Sequence, residues 1–283
     1  MRELAYHLVN VFAIAGDPFS GNPLCVFEDG RGLDDQTMQA LALQFNLSET
    51  TFILPSARAT AAVRIFTPAF EMPFAGHPTL GTAHIVRRLT GAGDAVTLDL
   101  RAGIIPVAAR GDRWTLQAKP PNSRPAEASA VELAQMLGLD GAADIAGTPL
   151  WVDTGSEQLV VPLASPAAVR RCAPDPVLLS RHASLRPERC LVYVIADAGP
   201  GEIEARFFFK KGSAVLEDPG TGSACANLGG WLLANGVPPP LVRTVRQGDG
   251  LRRPSRLGLE VDAERRIHVA GEVFELGRGV LRF

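Results

Sequence analysis

Apolar and polar residues alternate along "YHLVNVFA" and "PLCVFE", the two-residue period of a strand with one buried face, and the turn-rich "IAGDPFSGN" joins them. The period then lengthens. In "DDQTMQALALQF", Met38, Leu41, Ala42 and Phe45 recur at helical spacing, with Asp34 near the start, which predicts an amphipathic helix. "LSETTFIL" and "AAVRIFT" return to extended, β-branched sequence. Pro78 lacks an N–H and favours the first helical position, so a helix is predicted from about Thr79 to Leu89, with His77 at or beside its N-cap and Gly91 as the left-handed stop. Three more strands, "AVTLDLRA", "IIPVAAR" and "RWTLQA", read as a meander closing a sheet or barrel around that helix.

The Pro-rich, polar "KPPNSRPAEA" reads as a linker. Behind it, Ser129 followed by Glu132 forms a capping box and predicts a helix through "SAVELAQMLGL". Strands "PLWVDTG", "QLVVPL", "CLVYVIA" and "EARFFF" then lead to "EDPGTGSACANLGGWLLANG", a glycine-rich turn with a helix ending at Gly236. "RLGLEVD", "RIHVAG" and "EVFELG" echo the first trio of strands. Twelve positions separate Arg64 from Gly76 and Arg206 from Asp218; fourteen separate His77 from Gly91 and Gly222 from Gly236. The two counts differ in register by a few residues, yet together they point to an internal duplication. Both helices are apolar on most faces, which places each inside a surrounding sheet. The expected fold class is α+β: two pseudo-symmetric domains, residues 1–118 completed by a strand at about 273–283, and residues 119–272.

Composition narrows the picture. A chain of 283 residues, 46% hydrophobic and 20% charged, has ample material for a core and is long enough for two units. The net charge of −2, with no Lys/Arg stripe, argues against nucleic acid as the partner. "MRELAYHLVNVF" lacks the apolar run of a secretion signal, and no stretch is long enough to span a membrane; the expectation is a cytoplasmic, soluble protein with no membrane partner. Cys25, Cys172, Cys190 and Cys225 are scattered without a C-x-x-C pair, and read as small buried hydrophobes.

The candidate chemistry gathers at the two glycine-rich turns. Each opens a helix, whose first N–H groups and positive dipole end favour an anion, and if the halves face one another both ends point into one interdomain cleft suited to a carboxylate. "GTGSAC" has neither the Lys of a phosphate-binding loop nor dinucleotide spacing, which argues against a nucleotide. His77 and Asp218 hold roughly equivalent places; each reads equally as an N-cap or as a functional group. Glu49, set between Leu47 and Phe52, is either an exposed loop acid or a carboxyl enclosed by apolar neighbours, its pKa raised so that it can both give and take a proton. His77 and His84 lie seven apart with no H-x-x-x-H or H-E-x-x-H pattern, so no metal site is expected. No G-x-S-x-G elbow surrounds Ser223 or Cys225, and no hydrolase triad can be assembled.

"VFAIAGDPFSGNPLCVF", "LSETTFIL", "RIFTPAFEMPFAGHPTLGTAHIV" and "DPGTGSACANLGGWL", with the late "RQGDGLRRPSRL", resemble the PhzF-like phenazine biosynthesis family in the right order over nearly the whole chain. The resemblance implies a diaminopimelate epimerase-like fold, two domains each with a barrel-like sheet about a central helix and the active site between them. It implies an isomerase acting without cofactor or metal on a small cyclic carboxylate such as trans-2,3-dihydro-3-hydroxyanthranilate, and a homodimer. It carries the general acid/base glutamate onto Glu49, the histidine onto His77, and the aspartate and serine onto Asp218 and Ser223, with Gly76, Gly220, Thr221 and Gly222 supplying substrate-binding N–H groups. Two rival readings accompany it. Racemases and epimerases of the same fold use a Cys from each half; those places fall near Ala75 and Pro219, where no thiol stands, which disfavours them. A non-catalytic binder of small acids would not need the acid/base group.

Overall fold

The computed structural model describes residues 2–187 and 189–283. The chain divides into two compact units, residues 1–117 with 270–283, and residues 118–269.

The first unit contains β1 (Glu3–Ala13), β2 (Asn22–Phe27), α1 (Asp35–Phe45), β3 (Glu49–Leu54), β4 (Ala61–Phe66), β5 (Glu71–Met72), α2 (Gly76–Thr90), β6 (Ala95–Leu100), β7 (Gly103–Arg110) and β8 (Arg113–Gln117). The second runs through β9 (Asn122–Pro125), α3 (Ala130–Leu137), β10 (Leu150–Asp153), β11 (Gln158–Pro162), α4 (Pro166–Arg171), α5 (Pro176–His182), β12 (Ser184–Arg186), β13 (Arg189–Gly199), β14 (Glu202–Lys211), β15 (Ala214–Asp218), α6 (Gly222–Ala234), β16 (Leu241–Gln247) and β17 (Ser255–Val261). The last strand, β18 (Ile267–Arg282), gives its C-terminal portion to the first unit, where it pairs antiparallel with β1.

Both units repeat one pattern of connections, and together they give the α+β fold expected from the sequence. In the first, β1–β2 is antiparallel, β2–β3 parallel, β3–β4 antiparallel, β4–β6 parallel and β6–β7 antiparallel. Pairing of β7 with β8, of β8 with β18 and of β18 with β1 closes an eight-stranded ring. In the second, β10, β11, β13, β14, β16 and β17 pair in the same alternation, with β9 added antiparallel to β10. Parallel neighbours need a crossover. In each unit one crossover is a helix that enters the sheet: α2, buried from Gly76 through Ala83 and at Ile85 and Val86, and α6, buried at ten of its positions. Gly81 allows α2 this close approach, since a Cβ there would stand 2.7 Å from Leu24 Cδ2 and 2.9 Å from Val11 Cγ2.

The other helices cover the outside. Asp34 caps α1 by accepting the Thr37 N–H, and Met38, Leu41 and Ala42 bury against Phe27, Phe52 and Phe66. The Ser129–Glu132 capping box forms, and Gly91 ends α2 at φ 68°.

Four details depart from the sequence reading. "RIHVAG" and "EVFELG", read as two strands, form one continuous strand, β18; Gly271 at their junction leaves a gap in the side-chain row, filled by the ring of Phe12. "KPPNSRPAEA" contains β9, so the linker is partly sheet. Helix α2 starts at Gly76, ahead of the predicted Thr79, and Pro78 occupies its first turn, where a missing N–H costs nothing. Helices α4 and α5, which carry the β11–β13 crossover, have no counterpart among the predicted elements. Among the described residues, no helix is long and apolar enough to cross a membrane.

Candidate active site

Glu49 is the first residue of β3 and His77 the second of α2. The β3 strand runs parallel to β2, with Leu24 opposite Glu49, and Thr51 one pleat further on hydrogen-bonds Thr82 of α2 through their hydroxyls at 2.8 Å. Side chains two apart share a strand face, so Glu49 also faces α2. There its Oε2 lies 3.4 Å from His77 Nε2, and the two side chains are only 15% and 6% exposed. Phe52 points to the opposite face and packs, like Leu47, in the cluster beneath α1. The enclosure of Glu49 by Leu47 and Phe52 is therefore replaced by its pairing with His77.

His77 is not an N-cap. That position belongs to Ala75, whose side chain caps nothing. On its other side, His77 Nδ1 is 3.4 Å from Asn22 Nδ2, and the ring bonds the backbone of Pro23, where proline offers only a carbonyl. Burial pushes the imidazole down to about 3, against the opposing pull of that carbonyl, so the ring is neutral at pH 7.

The second unit holds the other two residues of the set, Asp218 and Ser223. Asp218 ends β15, and Thr221, the N-cap of α6, donates its hydroxyl to Asp218 Oδ2. Asp218 is thus no N-cap either. Gln247 at the end of β16 braces this loop from beneath, donating from Nε2 to the Asp218 carbonyl at 2.8 Å and to Thr221 Oγ1 at 3.0 Å, while Oε1 faces the Thr221 N–H at 3.4 Å. Thr221 thus serves the loop's own network through its hydroxyl. Gly222 and Ser223 open α6, whose start also has no side-chain cap, and Ser223 Oγ accepts from Gln158 Nε2 at 2.9 Å. Helix starts left uncapped by side chains are suited to an anionic ligand at Gly76 and at Gly222.

The repeat can now be placed in register. Arg64 grips Glu71 with Nε and Nη2, both at 2.7 Å, and lies over the Phe66 ring at 5.0 Å; Arg206 grips Glu217 and lies over Phe208 at 4.6 Å. Phe66 pairs with Glu71 across one hairpin and Phe208 with Glu217 across the other. Five positions then lead from Glu71 to Gly76 and from Glu217 to Gly222. By this register Ser223, rather than Asp218, corresponds to His77. The sequence count missed it because the second hairpin is four residues longer.

All four cysteines are free and buried, as expected of small hydrophobes; burial pushes Cys172 up to about 12 and Cys25 and Cys225 higher still. Among the described residues, no three His, Cys, Asp or Glu side chains gather as metal ligands. Sequence reasoning did not single out Asn22, Gln158, Asn227 or Gln247, isolated amides whose partners are distant along the chain.

Comparison with known proteins gives a consistent result. Residues 9–277 match the family model described as phenazine biosynthesis-like protein. A Pasteurella multocida protein named as an uncharacterized isomerase is 40% identical over 99% of this chain and 95% of its own. The trans-2,3-dihydro-3-hydroxyanthranilate isomerase of Pseudomonas aeruginosa is 35% identical over 89% of both chains. Among solved structures, the Bacillus anthracis phenazine biosynthesis protein of the PhzF family superposes with a TM-score of 0.87 at 23% identity, covering 100% of both chains.

Proposed function

The chain belongs to the phenazine biosynthesis-like family and is an isomerase, and from that premise we propose that it moves a proton along a small cyclic carboxylate such as trans-2,3-dihydro-3-hydroxyanthranilate by general acid/base catalysis. Glu49 removes a proton from one ring carbon and returns one to another on the same face. Nothing is oxidised or reduced, so the step needs no redox cofactor. The proposal assigns both loops to a single substrate: Ser223 and the N–H groups of Gly76, Gly220 and Gly222 take the carboxylate, while Asp218 and His77 orient the remaining polar groups. Homodimeric assembly, which comes with the family resemblance, and a cytoplasmic location are part of this reading.

The observation that supports it is the Glu49–His77 pair. An imidazole held neutral down to about pH 3 is a poor proton carrier at neutral pH but a good dipole beside a carboxyl group. The carrier is therefore Glu49, with His77 as its polar partner. Thiol-based racemisation finds no support, since Ala75 and Pro219 carry no sulfur and the four thiols are buried.

Incubation with dihydro-hydroxyanthranilate in deuterated water, read by mass spectrometry, tests this. The wild-type protein incorporates one deuteron per turnover or transfers the proton internally while the ring isomerises, and Glu49→Gln slows conversion by about 10²–10⁴-fold. Equal rates for Glu49→Gln and wild type would remove Glu49 from the mechanism, and label entering the α-carbon of amino acids would favour an epimerase.

A further inference from the structure

Behind Ser223 lies a buried chain of amides whose direction is set by the backbone. The Thr154 N–H can only donate, and it donates to Asn227 Oδ1 at 3.0 Å, joined by the Thr154 hydroxyl at 2.6 Å. This fixes the Asn227 amide, so Nδ2 points the other way and donates to the Ser156 carbonyl at 2.8 Å and to Gln158 Oε1 at 2.9 Å. The Gln158 amide is oriented in turn, and its Nε2 donates to Ser223 Oγ. Asn227 is fully buried and Gln158 is 2% exposed, so solvent does not compete for these bonds. An amide in either flip fits many sites; here the fixed polarity of one peptide N–H decides both flips.

The geometry points to Gln158 as a positioning residue that makes Ser223 a hydrogen-bond donor, and so selects a carboxylate oxygen as the group the serine receives. The inference rests on the reading that Ser223 contacts substrate. A hydroxyl that already accepts one bond is polarised into a better donor, and in a low-dielectric setting the bond it then gives to a charged oxygen strengthens further. Gln158 touches no substrate itself. Its Nε2, itself a donor, takes one of the two acceptor positions of Oγ and cannot receive the hydroxyl proton, which is left for the ligand.

Calorimetric titration with anthranilate and with its carboxamide tests this on wild type, Ser223→Ala, Gln158→Met and the double variant. Wild type binds the carboxylate at least tenfold more tightly than the carboxamide. Ser223→Ala and Gln158→Met each weaken anthranilate binding about tenfold, the worth of one charge-assisted hydrogen bond. The double variant is no weaker than Ser223→Ala alone, because Gln158 acts only through the serine. A Gln158→Met loss that persists undiminished in the Ser223→Ala background would show a general packing role and overturn the inference, as would wild-type affinity in Gln158→Met or equal wild-type affinity for the two ligands. If Gln158→Met fails to melt cooperatively, Gln158→Ala replaces it in the cycle. Turnover is not read here: a protein that binds carboxylates through a coupled Ser223 and Gln158 but isomerises nothing refutes the proposed reaction alone, and one that isomerises with the two residues uncoupled refutes this inference alone.

Discussion

Arg206 and Glu217 face one another across the β14–β15 hairpin in a two-pronged ion pair, Nε to Oε1 at 3.0 Å and Nη2 to Oε2 at 2.7 Å, one residue before Asp218. Glu217 is 8% exposed and Arg206 19%, and the same guanidinium also caps the end of α4 by donating to the Cys172 carbonyl at 2.8 Å. Removing one partner strands a buried charge. Arg206→Met is expected to cost about 3 kcal/mol in urea unfolding, and Arg206→Met with Glu217→Gln to recover part of that loss.

The pH dependence of stability follows from His77. Its folded value of about 3 lies below the ordinary 6.5, so between those limits the unfolded chain binds a proton that the folded one refuses. This contribution is fully present above pH 6.5 and declines as pH falls towards 3, with a slope of at most about 1.4 kcal/mol per pH unit. His77→Gln is expected to flatten that part of the profile in denaturant melts between pH 4 and 7. An unchanged slope would mean that other groups dominate.

The thiols offer a test that separates acid/base isomerisation from thiol chemistry. With all four buried, native protein treated with iodoacetamide should keep its activity and its unmodified mass, while the urea-unfolded chain takes up four labels. Inactivation in step with alkylation of one cysteine would contradict the carboxyl mechanism.

Gly248 links stability to the second loop. It adopts φ 79°, and an added Cβ would collide with the Arg253 carbonyl oxygen and stand 2.5 Å from that of Pro219, the residue after Asp218. Both obstacles are backbone, so neither can rotate aside. Gly248→Ala is expected to lower stability by more than about 1 kcal/mol and to reduce kcat/KM, because Pro219 and the Asp218–Gly222 loop must shift. Wild-type kinetics in a destabilised variant would show the loop to be insulated from that strain.

Local rules read well where the decisive partner is close in sequence. Asp34, the Ser129–Glu132 box and Gly91 announce helix ends through contacts within a turn, and the helical spacing of Met38, Leu41 and Ala42 announces a buried face. Long-range packing is silent in the same letters. The strand is broken in two at Gly271 in the sequence reading because nothing nearby reveals that the Phe12 ring needs its space. Phe52 stands three residues from Glu49, yet pleating turns it to the other face, and the neighbour that matters comes from α2. The site divides in the same way: motif resemblance nominates Glu49, His77, Asp218 and Ser223, whereas Gln158 and Gln247 look like ordinary strand residues until their amides are seen bracing Ser223 and the Asp218 loop.

The pairing of β1 with β18, in which Glu3 faces Arg282, has a consequence for synthesis on the ribosome. The second unit is contiguous along the chain, whereas the first is built from two segments that lie on either side of it. The first unit is made earlier but stays an unclosed sheet, with the edges of β1 and β8 unpaired, until β18 arrives. The half of the protein that carries Glu49 and His77 is thus translated first yet cannot close until the whole second unit has been made, and its open edge is the stage at which a nascent chain is most exposed to mispairing.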